Sequence, residues 1–374
     1  MRLEYQVLAA VAIDLAMGDP RWLPHPVRAI GWLATRLETV ARWVLGRRLA
    51  GGLARRVARR ASPPAKLAGL VVALVVYAVA GLAAWGAIKA AALFDPAAAD
   101  AVAILLIYAA IAPRDLARHS AAVYRALAGG NLVEARLRVA RIVGRDTDGL
   151  DEAGVVRAAV ESVAESTVDG VTAPLLFAVA AGPVGAIVYR AVNTLDSMFG
   201  HQDDRYRDFG WAAARIDDLA NYLPARLTVV LVCLAAGLLR QRPLSALRTL
   251  VRDGRKHASP NSGLAEAAVA GALGVQLGGP ISYDGQSLEK PVIGDPLVPL
   301  SRRHIRAANA LMFATAALLL AVILPLRFEV MELGSSWQCK DPPHSSGGAF
   351  GVPPSSFLLH PSSFILPSSW RMAQ

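Results

Sequence analysis

Three stretches of the chain run long enough without a charge to cross a bilayer: Leu67 to Ile88, Val171 to Tyr189 and Ala307 to Leu326, of 22, 19 and 20 residues. A helix rising 1.5 Å per residue needs about 20 apolar positions to span the hydrocarbon core, so each predicts a spanning helix. Four further apolar runs are shorter or carry a polar break: Tyr5 to Gly18, Ala101 to Pro113, Leu227 to Leu239 and Ala267 to Tyr283. Length leaves these four open. The first holds Asp14, an acid that costs about 2.5 to 3.5 kcal/mol at a helix centre in lipid unless it is paired or faces a cavity. Its side chain is therefore expected to point inward. The same run follows a weak positive region and lacks a small-residue cleavage site, so it reads as retained and not as a cleaved signal.

The segments between the runs suggest an orientation. Arg42 to Lys66, Arg114 to Arg145 and Arg240 to Lys256 are basic and belong on the cytoplasmic side, whereas the Phe94 to Asp100 link has no Lys or Arg and fits the far side. That makes Leu67 to Ile88 and Ala101 to Pro113 a crossing hairpin. Val171 to Tyr189 fits less easily, because a full crossing would carry the basic segment Arg190 to Arg226 outward. Pro174 and Gly182-Pro183 interrupt it, and non-helical backbone is tolerated at membrane depth where it is buried in protein or lines a cavity, so a re-entrant hairpin stays open. From Gly334 onward the chain turns to Ser, Pro, Gly and Phe with near-repeats of Pro-Ser-Ser. A single membrane domain is expected over 1–333 and a disordered tail over 334–374.

Composition agrees with lipid as solvent. Hydrophobic side chains make up 54% of the 374 residues and charged ones 18%, against about 45 to 50% and 25% in soluble domains. This excludes an ordinary soluble enzyme and a disordered chain. The fold class is all-α: a polytopic helical membrane protein with amphipathic or cytoplasmic helices between its spans. Two cysteines exclude a disulfide framework and a cysteine-based metal site. The net charge of +10 is spread over loops beside apolar runs, without a basic patch interleaved with aromatics, so anionic lipid is the expected partner and nucleic acid is not.

Five polar clusters at the edges of the apolar runs carry candidate chemistry. The first contains Asp14, Asp19, His25 and Arg28 in a proline-rich loop; alone it could be a turn in which Asp19 caps the next helix. In the second, Glu161, Glu165 and Asp169 at i, i+4 and i+8 fall on one helix face. Three acids in a stripe repel one another unless cations sit among them, and oxygen-only ligands suit Mg²⁺ held together with substrate phosphate; a solvated face is the plainer alternative. The third places Asn193, Asp196 and Ser197 after Arg190 and before His201. The fourth sets Asp217 and Asp218 one turn ahead of Asn221, with Arg215 and Arg226 as anion partners. In the fifth, Ser259 or Asn261, with Ser262, opens an Ala-rich helix whose free N–H groups suit phosphate, or is simply a cap. No P-loop, dinucleotide fingerprint, nucleophile elbow or HExxH motif is present.

Together the strings DxxxGDPxxxxHPVRxIG at 14 to 31, ESxAESxxDGxxAP at 161 to 174, NTLDSMxGH at 193 to 201, RxDDxxNxxPAR at 215 to 226 and SPNSG at 259 to 263 resemble the adenosylcobinamide-phosphate synthase family, CobD/CbiB, over about residues 1 to 328. The resemblance implies an integral enzyme of the cell (inner) membrane in cobalamin biosynthesis. It would join the propionate of adenosylcobyric acid to aminopropanol, or its O-phosphate, through an amide, with ATP as co-substrate and Mg²⁺ assisting. Other membrane enzymes of that pathway are possible partners. Such ligations pass through an acyl phosphate, which needs metal and Arg against phosphoryl oxygens and a base for the amine. On that reading Glu161, Glu165, Asp169, Asp217 and Asp218 hold metal and phosphate. Arg28, Arg190 and Arg215 clamp anions, and His25, His201 or Glu165 moves the proton. A Mg²⁺-dependent membrane transferase acting on a diphosphate would also use acid-rich helix ends; a corrinoid transporter would explain intramembrane polar residues but lacks a visible internal repeat.

Overall fold

The computed structural model describes residues 1–20, 25–49, 63–201, 203–283 and 285–338. The first helices are α1 (Leu3–Met17), α2 (Pro26–Leu49), α3 (Pro63–Phe94), α4 (Pro96–Ala110), α5 (Pro113–Ala128), α6 (Leu132–Val139) and α7 (Glu152–Ser166). A π-helical turn, Thr167–Thr172, joins α7 to α8 (Ala173–Phe199). Then come α9 (Trp211–Ala220), α10 (Tyr222–Leu238), α11 (Pro243–Asp253), α12 (Ser262–Leu273), the hairpin β1 (Leu277–Tyr283) and β2 (Gln286–Ile293), and α13 (Arg303–Gln338). Residues Met1–Val330 make one unit; of Met331–Gln374 only the end of α13 is described.

Local chemistry explains the boundaries. Proline opens α2, α3, α4, α5 and α11, where its missing N–H is no loss and its φ already suits a helix. Asp95, Asn131 and Asp151 cap α4, α6 and α7 by accepting from Ala97 N (2.8 Å), Glu134 N (2.9 Å) and Gly154 N (2.7 Å). Helical geometry breaks inside α8 at Ala181 and Gly182, the latter at φ 69°, just before Pro183.

Four helical stretches are long and apolar enough to cross a membrane: Pro63–Phe94, Pro96–Ala128, Glu152–Phe199 and Arg303–Phe328. Each of the three long runs of the sequence lies within one of them. The α9–α10 pair passes the same test only jointly and is bent by 47°. The protein is thus a helical membrane protein with a small two-stranded sheet. Helix α3 packs against α2, α4, α8 and α9, α1 lies on α4, and α12 sits between α7, α10 and α11.

Two sequence expectations change. The run Ala267 to Tyr283 is not one element: α12 stops at Gly274, whose φ of 66° is left-handed, and the rest enters β1. Of the tail expected over 334–374, residues 334–338 are helical and continue α13; residues 339–374, part of the basic segment before Lys66, and 21–24 of the proline-rich loop lie outside the described residues.

Candidate functional site

The π-helical turn, α8, α9 and the loop before α12 bring four of the five polar clusters together. Ser262 Oγ donates to Glu165 Oε1 at 3.1 Å, and Asn261 Nδ2 donates to the Asp218 carbonyl at 2.8 Å. Asn221 Nδ2 donates to Asp217 Oδ2 at 2.9 Å while its Oδ1 accepts from the Tyr189 hydroxyl at 2.8 Å. Arg190 Nη1 donates to the Asp169 carbonyl (3.3 Å) and to Asn193 Oδ1 (3.4 Å). Asp169 has Asp217, Glu165, Asp196 and Arg190 as charged neighbours, and Asp196 has Asp218, Glu165 and His201. Clustered acids around one guanidinium, with the Nε of Arg190 and Oδ1 of Asp217 both buried and unpartnered, leave polar groups that a folded interior normally satisfies.

These residues open on a hollow of about 610 Å³ lined by Glu165, Asp169, Arg190, Asn193, Asp196 and Ser197. A neighbouring hollow of about 410 Å³ is lined by Lys66, Arg207, Arg215 and Asp218. Gly200 and His201 line both. His201 is exposed, and its imidazole stands where the two hollows meet. Arg215 lies 3.9 Å from Asp218, two-thirds exposed, free to meet an anion.

Behind the carboxylates, Glu266 on α12 is 1% exposed and its Oε2 has no partner. Burial pushes this carboxyl well above its ordinary range, Lys290 opposing and Glu161 and Glu165 adding to the shift. Burial and the nearby Lys290 charge push His257 down.

The sequence expectations fare unevenly. Glu161 faces elsewhere: its Oε2 is paired with Arg145, and its Oε1 accepts from Gly278 N at 2.7 Å. Both oxygens are spent on holding β1 and the segment before α7, so Glu161 leaves the set of metal ligands. Arg157 donates to the Gly278 carbonyl (2.8 Å) and not to the acid stripe. Arg28 stands exposed on the first turn of α2, outside the lining of both hollows, and so is not an anion clamp of this cleft. Asn261 makes no capping bond; Ser259 Oγ takes that part, accepting from Asn261 N and Ser262 N at 3.3 and 3.4 Å, which spends the N–H groups suggested for phosphate.

The first cluster approaches from the side. Asp14 is 1% exposed, points inward, and accepts from Arg114 N at the start of α5 (3.1 Å). Asp19 lies 3.3 Å from His25 and near the Arg190 charge. Among the described residues no three His, Cys, Asp or Glu side chains close around a point that could hold a metal. A cation bound here would therefore use one or two of these carboxylates and complete its shell with other ligands such as phosphate and water. Sequence reasoning missed Asp115 and His119, 3.3 Å apart on α5 and both lining the larger hollow. Their i, i+4 spacing directly after an apolar run was the available signal.

Comparison with known proteins adds an independent line. The family model described as "CobD/Cbib protein" matches residues 7–312. A Geobacter metallireducens protein named "Cobalamin biosynthesis protein CobD" is 50% identical over 313 residues, covering 84% of this chain and 93% of the relative. A CobD of Leptospira interrogans is 42% identical, covering 84% and 95%, and a CbiB of Salmonella typhi is 42% identical, covering 85% and 95%. No solved structure matches. With its motifs gathered in one cleft and its relatives matched along nearly their whole length, the chain belongs to the CobD/CbiB family of cobalamin biosynthesis proteins.

Proposed function

We propose that the protein is a multi-pass enzyme of the cell (inner) membrane that forms the amide between the propionate carboxylate of adenosylcobyric acid and aminopropanol or its O-phosphate. ATP is consumed, and adenosylcobinamide or its phosphate is the product. The observation that carries the reading is the meeting of Glu165, Asp169 and Asp196 with Arg190 in one hollow, with Asp217 a charged neighbour of Asp169, beside a second hollow bearing Lys66, Arg207 and Arg215. A carboxylate must lose an oxygen to become an amide, and transfer of that oxygen to phosphorus needs positive charge on the phosphoryl side and a base on the amine side.

In this reading Mg²⁺ would be held by one or two carboxylates drawn from Glu165, Asp169, Asp217 and Asp218, and would supply the positive charge that phosphoryl oxygens require. The unpartnered Oδ1 of Asp217 is the observation that fits such a cation. Arg190 and Arg215 orient the anionic groups through guanidinium forks. His201, reaching both hollows, accepts the proton that the attacking ammonium must lose before its nitrogen forms the C–N bond.

The test is to incubate membranes holding the protein with adenosylcobyric acid, aminopropanol phosphate, ATP and Mg²⁺ and to detect the amide by mass. Amide formation that stops when ATP is omitted is expected. Asp217→Asn is expected to lower turnover by about a hundredfold or more, the scale of removing one preorganised charge from an active site, with insertion in the membrane unchanged. Amide formed without ATP, or full turnover by that variant, refutes the proposal.

A further inference from the structure

The α10–α11 hairpin has an apolar outer face. Leu227, Val230 and Leu234 on α10 and Leu244, Leu247 and Val251 on α11 recur at helical spacing and are all at least 40% exposed. A face of this extent is not solvated by water alone. Between the two helices and the 254–260 loop lies a hollow of about 790 Å³, walled by Val229, Val230, Leu250 and Val251 and edged by Arg226, Arg255 and His257. It shares only Ala258 with the smaller hollow of the cleft and no residue with the larger one.

The charges at its edge are not used up by the protein. Arg252 and Lys256 are both taken by Asp253, at 2.7 and 2.8 Å, but Arg255 between them has no ion pair or side-chain hydrogen bond among the described residues. Arg226 stacks on the Tyr222 ring at 3.4 Å from its centroid and donates to Asn261 Oδ1 and the Tyr222 carbonyl. Among the described residues its partners are neutral, and no carboxylate pairs with it. An apolar trough on this hairpin, edged by two guanidinium groups that no described carboxylate pairs with, has the polarity of a phospholipid: acyl chain along the wall, phosphate at the cationic end. A bare phosphate ion would leave the apolar wall unfilled.

We propose that this hollow binds one anionic phospholipid, its phosphate between Arg226 and Arg255 and an acyl chain along Val229, Val230, Leu250 and Val251. Through the Arg226–Asn261–Asp218 contacts the lipid then adjoins the loop that closes the cleft.

The test uses the full chain in nanodiscs of phosphatidylcholine mixed with phosphatidylglycerol, released into mild detergent and read by native mass spectrometry. Phosphatidylglycerol is expected to remain bound in preference to phosphatidylcholine. Arg255→Gln is expected to reduce that preference about tenfold, the worth of one charge-assisted contact, and Arg255→Lys to restore most of it. Arg248→Gln removes an exposed cation of α11 outside the hollow and is expected to change nothing. Equal loss from Arg248→Gln would mean diffuse attraction to the surface and overturns the site. So does an unchanged preference in Arg255→Gln, or displacement of the lipid by inorganic phosphate or by adenosylcobyric acid.

Discussion

Replacing Glu161 by Ala separates a metal ligand from a structural tie. The Glu161 side chain is 2% exposed and that of Arg145, its partner, 8%; Glu161 also accepts from Gly278 N at 2.7 Å. Removing the carboxylate strands a buried guanidinium and a buried backbone N–H at once. Breaking a buried pair from one side costs about 3 to 5 kcal/mol, and an N–H left without an acceptor costs about 1 to 3 kcal/mol, part of the same loss. With about 2 to 4 °C per kcal/mol for a chain of a few hundred residues, the melting temperature in detergent should fall by on the order of 10 °C. Adding Arg145→Met to Glu161→Leu should recover much of it, because a buried pair replaced by apolar groups is often neutral. Differential scanning fluorimetry of parent, singles and double reads this directly. If Glu161→Ala melts with the parent yet loses only Mg²⁺-dependent turnover, the tie is wrong and Glu161 returns to the metal.

Two further outcomes follow from packing and charge. Arg252, Lys256 and the Gly294 N–H hold the Asp253 carboxyl far below its ordinary range, so its folded value lies under its unfolded one; its contribution is present above the unfolded value and lost as pH falls through the folded one. Asp253→Asn should therefore cost about 2 to 3 kcal/mol near neutral pH, with the gap to the parent closing in melts run at increasingly acid pH, and a gap that widens in acid refutes the assignment. At Gly69 a Cβ would sit 1.8 Å from the Phe209 carbonyl oxygen, whereas at Gly86 on the same helix it would meet nothing within 4 Å. Gly69→Ala should destabilise by about 1 to 3 kcal/mol or more as α3 is forced off the segment that lines the smaller hollow, and Gly86→Ala should be neutral or slightly stabilising; equal melts for the two would show that α3 does not approach that segment.

The scaffold was readable because lipid imposes a length on apolar runs. Leu67 to Ile88 falls wholly inside α3, and the link after it, which has no Lys or Arg, is where α3 turns into α4. What hydropathy could not resolve was the kind of element a short apolar run becomes. Ala267 to Tyr283 is evenly greasy, yet Gly274, Gly278 and Gly279 take φ of 66°, 77° and 86°, conformations open to glycine that end a helix and bend a strand. Nothing in the apolar content of the run marks that change. The π-helical turn left no compositional trace either: Thr167 and Thr172 stabilise it through hydroxyl bonds to Val163 and Thr167 carbonyls, which are visible only once the turn exists.

That turn also explains why the acid stripe was misread. Spacing of four and eight places Glu161, Glu165 and Asp169 on one face only if the helix keeps 3.6 residues per turn. The π-helical turn begins two residues after Glu165 and takes in Asp169, so the face rotates there and Asp169 swings toward Asp196 and Asp217, away from Glu161. Local periodicity predicted neighbours along one helix, whereas the groups that meet come from the end of α7, the π-helical turn, α8 and α9. Glu161, left behind, is neutralised by Arg145; Asp169, carried forward, has three further acids and one guanidinium as its charged neighbours. A fold that merely needed its charges buried would have given each acid its own cation, as it gave Arg145 to Glu161 and both Arg252 and Lys256 to Asp253. Where it instead gathers more acids than cations and leaves Asp217 Oδ1 without a partner, the surplus acids are the feature on which the proposed cation would rest.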